Sequence, residues 1–318
     1  MKRTAYLFIC AVAVPFAVHA SELSDAVDNV RNACAGISSE MNEMKKMAGI
    51  NTAITGVGTV AGGVALGTGI AKVTVDKESE ELEKLIAELD ASGAKEIKTT
   101  GELYSVLADM FGETGVPAGA EIASSLRKKQ QEQTKKSKAL GNVRTGTMAG
   151  AAATNIAGAV IAGTNRVRGD LKMQINNCIA ATKILSNVRM QARMNGGTAD
   201  SELQQADKIV SGCSGWEIVD LSKIDNRSTG ATVSSAVGAT TGIVGTITSA
   251  SANAEATRAD NSDAGKQKEK NLNTASNVLA GTTTIASGAA TVFNATQIAA
   301  IKRAVAVADE CEEALGIK

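Results

Sequence analysis

Met47-Ala-Gly-Ile-Asn-Thr-Ala-Ile-Thr-Gly-Val-Gly-Thr-Val-Ala-Gly-Gly-Val-Ala-Leu-Gly-Thr-Gly-Ile-Ala71 is a run without a charge or a proline. Three further uncharged bands, 145–165, 228–254 and 271–301, share its Gly, Ala, Thr and Ser content. Each band lies near one of the cysteines Cys34, Cys178, Cys213 and Cys311. Read inward from its cysteine, each begins after 13, 13, 15 and 10 residues. That regularity describes two similar units, each bounded by a pair of cysteines.

Helix is the better reading of the bands. Beyond residue 20 the only proline is Pro117, which permits long uninterrupted helices. Ala favours helix, whereas Gly and the β-branched Thr and Val weaken the preference. Val73-Thr-Val75 and Thr282–Thr284 would suit strands, but alternation is poor in all four bands and hairpin-turn signals are sparse. The flanks are plainly helical. Leu82, Leu85, Ile86 and Leu89 fall at i, i+3, i+4 and i+7, with Lys77–Glu81 and Glu80–Lys84 at i, i+4. The expected class is all-α.

The order cysteine, band, charged middle, band, cysteine occurs twice, which reads as an internal duplication. Val57-Gly58 and Gly62-Gly63-Val64 recur as Val237-Gly238 and Gly242-Ile243-Val244 at a common offset of 180. Met148-Ala-Gly150 recurs as Leu279-Ala-Gly281. The expected organisation is a signal segment (1–20), a lead-in (21–33), a first helical hairpin (34–178), a linker with a short helix (179–212) and a second hairpin (213–318). The midpoint of Cys213 and Cys311 falls in Asp260-Asn-Ser-Asp-Ala-Gly265, the strongest turn signal of the second unit. The first midpoint falls in Leu103, Val106, Leu107, Met110 and Phe111, a small extra helix at the tip, which Thr99 and Glu102 could cap. Pairing Cys34 with Cys178 and Cys213 with Cys311 would staple each hairpin at its open end. Four cysteines allow three connectivities, and spacing alone leaves the other two open.

Residues 1–20 read as a secretory signal: Lys2 and Arg3, an apolar run, and Val18-His-Ala20 as a small-x-small cleavage site. Export to a periplasm, cell envelope or exterior would place the cysteines where disulfides persist. Without 1–20 no histidine is left, and the aromatics are Tyr104, Phe111, Trp216 and Phe293. Imidazole metal ligands and Ser-His or Cys-His dyads are therefore excluded. There is no Cys-x-x-Cys pair and no basic excess or aromatic platform for nucleic acid. No catalytic, cofactor or metal residue is assigned. The runs Glu78–Glu83 and Asp309–Glu313 read as solvated helix faces, Asp260 and Asp263 as turn formers, and Trp216 as a plug beside Cys213. Gly56-Val-Gly58-Thr-Val-Ala61 with Asp76 mimics a dinucleotide fingerprint, but no buried strand precedes it.

The pairs Gly58/Gly62, Gly63/Gly67, Gly146/Gly150 and Gly238/Gly242 are Gly-x-x-x-Gly motifs, whose glycines share one helix face and admit a neighbouring backbone. They resemble glycine zippers of bacterial envelope proteins. Two readings follow. The first is a tight soluble or peripheral bundle, a non-enzymatic structural or interaction component with a protein partner, itself or another envelope component. The alternative is a membrane-inserting protein, pore-forming or effector-like, since each band is long enough to cross ~30 Å of hydrocarbon. Thr, Ser and Asn dilute the apolarity and favour the first.

Overall fold

The computed structural model describes residues 20–91, 119–196, 199–257 and 263–317. Among them there is helix and no strand. The helices are α1 (Ala20–Cys34), α2 (Ile37–Ala91), α3 (Gly119–Thr164), α4 (Gly169–Asn195), α5 (Asp200–Cys213), α6 (Leu221–Thr257) and α7 (Asp263–Ala314), with a 3-10 turn at Ser214–Ile218. Val73–Val75 and Thr282–Thr284 lie inside α2 and α7, so the strand alternative does not hold. Gly56–Ala61 and Asp76 lie in one unbroken helix, and the fingerprint has no turn on which a pyrophosphate could sit. Residues 1–19, the expected tip helix at 103–111 and the turn residues 260–262 lie outside the described residues.

The described chain divides into two compact units. The first takes residues 20–49, 165–196, 199–228 and 295–317; the second takes 50–91, 119–164, 229–257 and 263–294. Each unit draws on both cysteine-bounded segments of the sequence.

The first unit has a core of large aliphatics: Leu23, Val30, Ile37, Met41, Leu171, Ile175, Leu185, Ile209 and Ile301, with Trp216 buried among them. The segments read as lead-in and linker supply much of it. Residues 21–33 belong to α1, residues 179–195 to the end of α4 and residues 200–212 to α5, whose Leu185, Ala206 and Ile209 are buried. Cys34 pairs with Cys178 and Cys213 with Cys311. The Sγ atoms of Cys34, Cys213 and Cys311 all lie within 4.8 Å of one another, so the two bridges sit side by side in this core.

Its helix ends are tied by side chains. α1 stops at Gly36, whose φ of +85° suits glycine. Glu312 of α7 then accepts hydrogen bonds from the Gly36 and Ser38 N–H groups, both at 3.1 Å, capping α2. The Ser38 hydroxyl donates to Asp309. Asp309–Glu313 is therefore not simply a solvated face: Glu312 is 7% exposed and serves the start of another helix. Asp220 caps α6 by accepting from the Ser222 N–H at 3.1 Å. The Ser222 hydroxyl holds that carboxyl below its usual range. Between α3 and α4, Val167 N–H donates to Asp225 at 2.8 Å and Gln297 donates to the Asn165 carbonyl at 2.9 Å.

In the second unit the helices pair antiparallel. Asn51 meets Asn294 while Lys72 meets Glu269, so α2 and α7 are opposed. α3 and α6 are likewise opposed, with Thr145 against Ser249 and Gly163 against Thr232. Long helices of this kind need no tight turn within their bands, which proline-free sequence permits.

Candidate functional site

Heptad spacing sets the interior of the second unit. Over residues 51–72 the buried positions of α2 are Asn51, Thr55, Gly58, Gly62, Ala65, Gly69 and Lys72, alternating steps of four and three. α3 follows with Gly141, Arg144, Met148, Ala151, Asn155, Gly158 and Ala162, and α6 with Ala231, Ser235, Gly238, Gly242, Gly245, Ser249 and Ala252. α7 adds Asn273, Ser276, Ala280, Thr283, Ser287, Ala290 and Asn294. These are the inward a and d positions of a coiled-coil-like bundle. Apart from Met148 they carry small or polar side chains where such a bundle ordinarily carries Leu and Ile.

Hydrogen bonds between helices replace the missing aliphatic contacts. Asn51 donates to Asn294 at 2.9 Å, Thr291 to Thr55 at 3.1 Å and Asn155 to Ser287 at 2.7 Å. Thr241 meets Thr283 at 2.9 Å, and Arg144 donates through Nε to Ser276 at 3.0 Å. At the end of the α2 band, Lys72 is 1% exposed and bridges Asp76 at 2.7 Å and Glu269 at 2.9 Å. A buried lysine needs such partners, because an unpaired charge there would be severely destabilising. The Asn51 and Asn155 side-chain oxygens have no partner among the described residues, a cost that an aliphatic core would not carry.

The expected zipper glycines divide into two sets. A Cβ on Gly58 would meet the Thr154 side chain at 2.6 Å; on Gly62, Thr284 at 2.7 Å with its backbone at 3.2 Å. On Gly238 it would meet Asn155 at 2.8 Å, and on Gly242 the Ala152 backbone at 3.1 Å. Gly63, Gly67, Gly146 and Gly150 have nothing within 4 Å. The reason is the heptad: the first four occupy inward positions, the second four fall outside them. The sequence reading passed over Gly69, Gly141, Gly158 and Gly245, which are inward and tightly approached.

The outer face is the inverse of the interior. Among the described residues, 17 of the 23 exposed large hydrophobics belong to this unit, and so do 14 of the 20 buried polar or charged residues. Val60 is 68% exposed on α2, Val160 62% on α3, Ile247 62% on α6 and Ile285 75% on α7. Within this unit the uncharged lengths are 50–71, 145–164, 229–254 and 271–294. At 1.5 Å per residue they span ~30–39 Å. The paired residues above put the four lengths at one level. Outward threonines do not break the belt as composition suggests. Thr164, Thr240, Thr248 and Thr282 each donate to the carbonyl four residues back on their own helix, so their hydroxyls are satisfied without solvent.

Among the described residues, one apolar window long and uncharged enough to cross a membrane lies in Glu22–Ala87, and only 28% of it is buried. Comparison with known protein families, with curated proteins and with solved structures finds no match.

Proposed function

We propose that this is an exported, non-catalytic protein of the cell envelope whose second unit embeds in a lipid bilayer. The observation that carries the reading is the inverted burial over an uncharged length of about 30–39 Å on all four helices. That length suits a hydrocarbon layer of ~30 Å. Helix association in such a layer relies on small residues and interhelical hydrogen bonds, because aliphatic burial supplies no drive there. The interior of this unit has that character. The composition alone had favoured a soluble bundle; the back-bonded threonines remove the main objection to lipid contact.

The duplication belongs to the same proposal. Gly58 and Gly62 on α2, and Gly238 and Gly242 on α6, stand 180 residues apart and all occupy closely approached positions, which supports a repeated hairpin design. On this view each bridge staples one repeat, and residues 1–20 direct export.

Flotation with phospholipid vesicles tests the reading. The purified mature chain is expected to rise with the vesicles and to stay with them after a carbonate wash. A monodisperse protein left at the bottom of the gradient would return the second unit to the soluble-bundle reading. A vesicle-free oligomer would assign the apolar face to further copies of the chain.

A further inference from the structure

On the cysteine side of every band the first charge is a base: Lys46, Arg166, Arg227 and Lys302. The five residues beyond each band on that side hold eight bases and three acids, although the chain from residue 21 onward carries more acids than bases. Lys46, Arg166 and Lys302 are exposed. At the opposite ends Lys72 and Arg144 are buried and committed to Asp76, Glu269, Ser276 and Asn273 within the bundle, while Lys270 beside the α7 band is exposed. The first base beyond the band on the cysteine side is therefore exposed for three of the four bands, and the corresponding bases of α2 and α3 at the far ends are withheld.

We infer that the protein prefers a bilayer with anionic phospholipid headgroups, engaged by Lys46, Arg166 and Lys302 at the cysteine-side ends of the bands. The inference rests on the bilayer reading above. Long basic side chains next to an apolar segment lay their methylenes along it and hold their charge at headgroup level. Each base near an anionic surface adds an attraction that salt screens within a Debye length.

The test uses the full mature chain and two vesicle preparations, phosphatidylcholine alone and phosphatidylcholine with phosphatidylglycerol. Binding is expected to be tighter to the anionic vesicles and to weaken with salt. The triple variant Lys46→Gln, Arg166→Gln, Lys302→Gln is expected to bind anionic vesicles on the order of 100-fold more weakly, with its binding to neutral vesicles little changed. A charge-matched control, Lys128→Gln, Lys183→Gln, Lys208→Gln, changes exposed lysines away from the band ends and is expected to retain most of the affinity. Unchanged helix content and melting temperature establish that both variants are folded. Equal affinity of the native chain for the two vesicles, or an equal loss in variant and control, overturns the headgroup inference alone. Failure to bind either preparation overturns the bilayer reading itself.

Discussion

The two units solve the same problem, keeping long helices together, with opposite materials. The first buries Leu, Ile, Val, Met and Trp216 and fixes them with two adjacent disulfides. Along its bands the second buries mostly Gly, Ala, Ser, Thr and Asn, with Met148 among them, and turns Val and Ile outward. In water the first arrangement is driven by apolar burial at roughly 25 cal/mol per Å². The second gains little from that term and depends on close approach and hydrogen bonds worth about 1 kcal/mol each. The difference teaches that heptad spacing fixes which way a residue faces, while side-chain size decides which solvent suits the result.

Breaking the bridge between Cys34 and Cys178 should have the largest effect. It closes a loop of 144 residues, for which chain entropy gives about 4–5 kcal/mol. Thermal melts of Cys34→Ala, Cys178→Ala should fall further than those of any substitution in the second unit. Next comes Leu185→Ala, expected to cost about 2–5 kcal/mol for a fully buried leucine. Its counterpart Val160→Ala, on the outer face of the second unit, should shift stability by less than about 0.5 kcal/mol in detergent-free buffer. Equal losses would mean that Val160 is covered.

Neighbouring glycines sharpen the contrast further. Gly62→Leu should destabilise by about 1–3 kcal/mol through overpacking against Thr284. Gly63→Leu, one residue on and open, should be neutral or stabilising by up to about 1 kcal/mol through helix propensity. Matching signs in the two melts would remove the heptad assignment. In the first unit, Glu312→Ala uncaps α2 and should cost about 0.5–2 kcal/mol.

Much of the fold was legible. Near-absence of proline gave helix, and the hairpin midpoints favoured the two pairs that form, though spacing left the other connectivities open. Their adjacency was not legible, because it depends on α4 and α5, which the sequence offered only as a linker with a short helix. The dinucleotide mimic was legible as a mimic, because no buried strand precedes Gly56, and α2 runs unbroken through it. Inverted burial was written in the chain as Asn51, Thr55, Gly58, Gly62, Ala65, Gly69 and Lys72, steps of four and three. It was missed because small and polar residues in heptad register do not look like a core. Half of the zipper glycines were misplaced for a related reason: Gly-x-x-x-Gly fixes a shared face but not which face.

Contact between the belt and acyl chains is measured most directly by tryptophan quenching with brominated phospholipids. Trp216, the chain's single tryptophan, is 2% exposed in the first unit and serves as an internal reference. Val60→Trp, Val160→Trp and Ile285→Trp each add one reporter on the outer face of a different helix. Emission from all three added residues should be quenched by bromines on the acyl chains, and that of Trp216 should not. Unquenched emission at Val60→Trp, Val160→Trp and Ile285→Trp in vesicle-bound protein would contradict a lipid-facing belt.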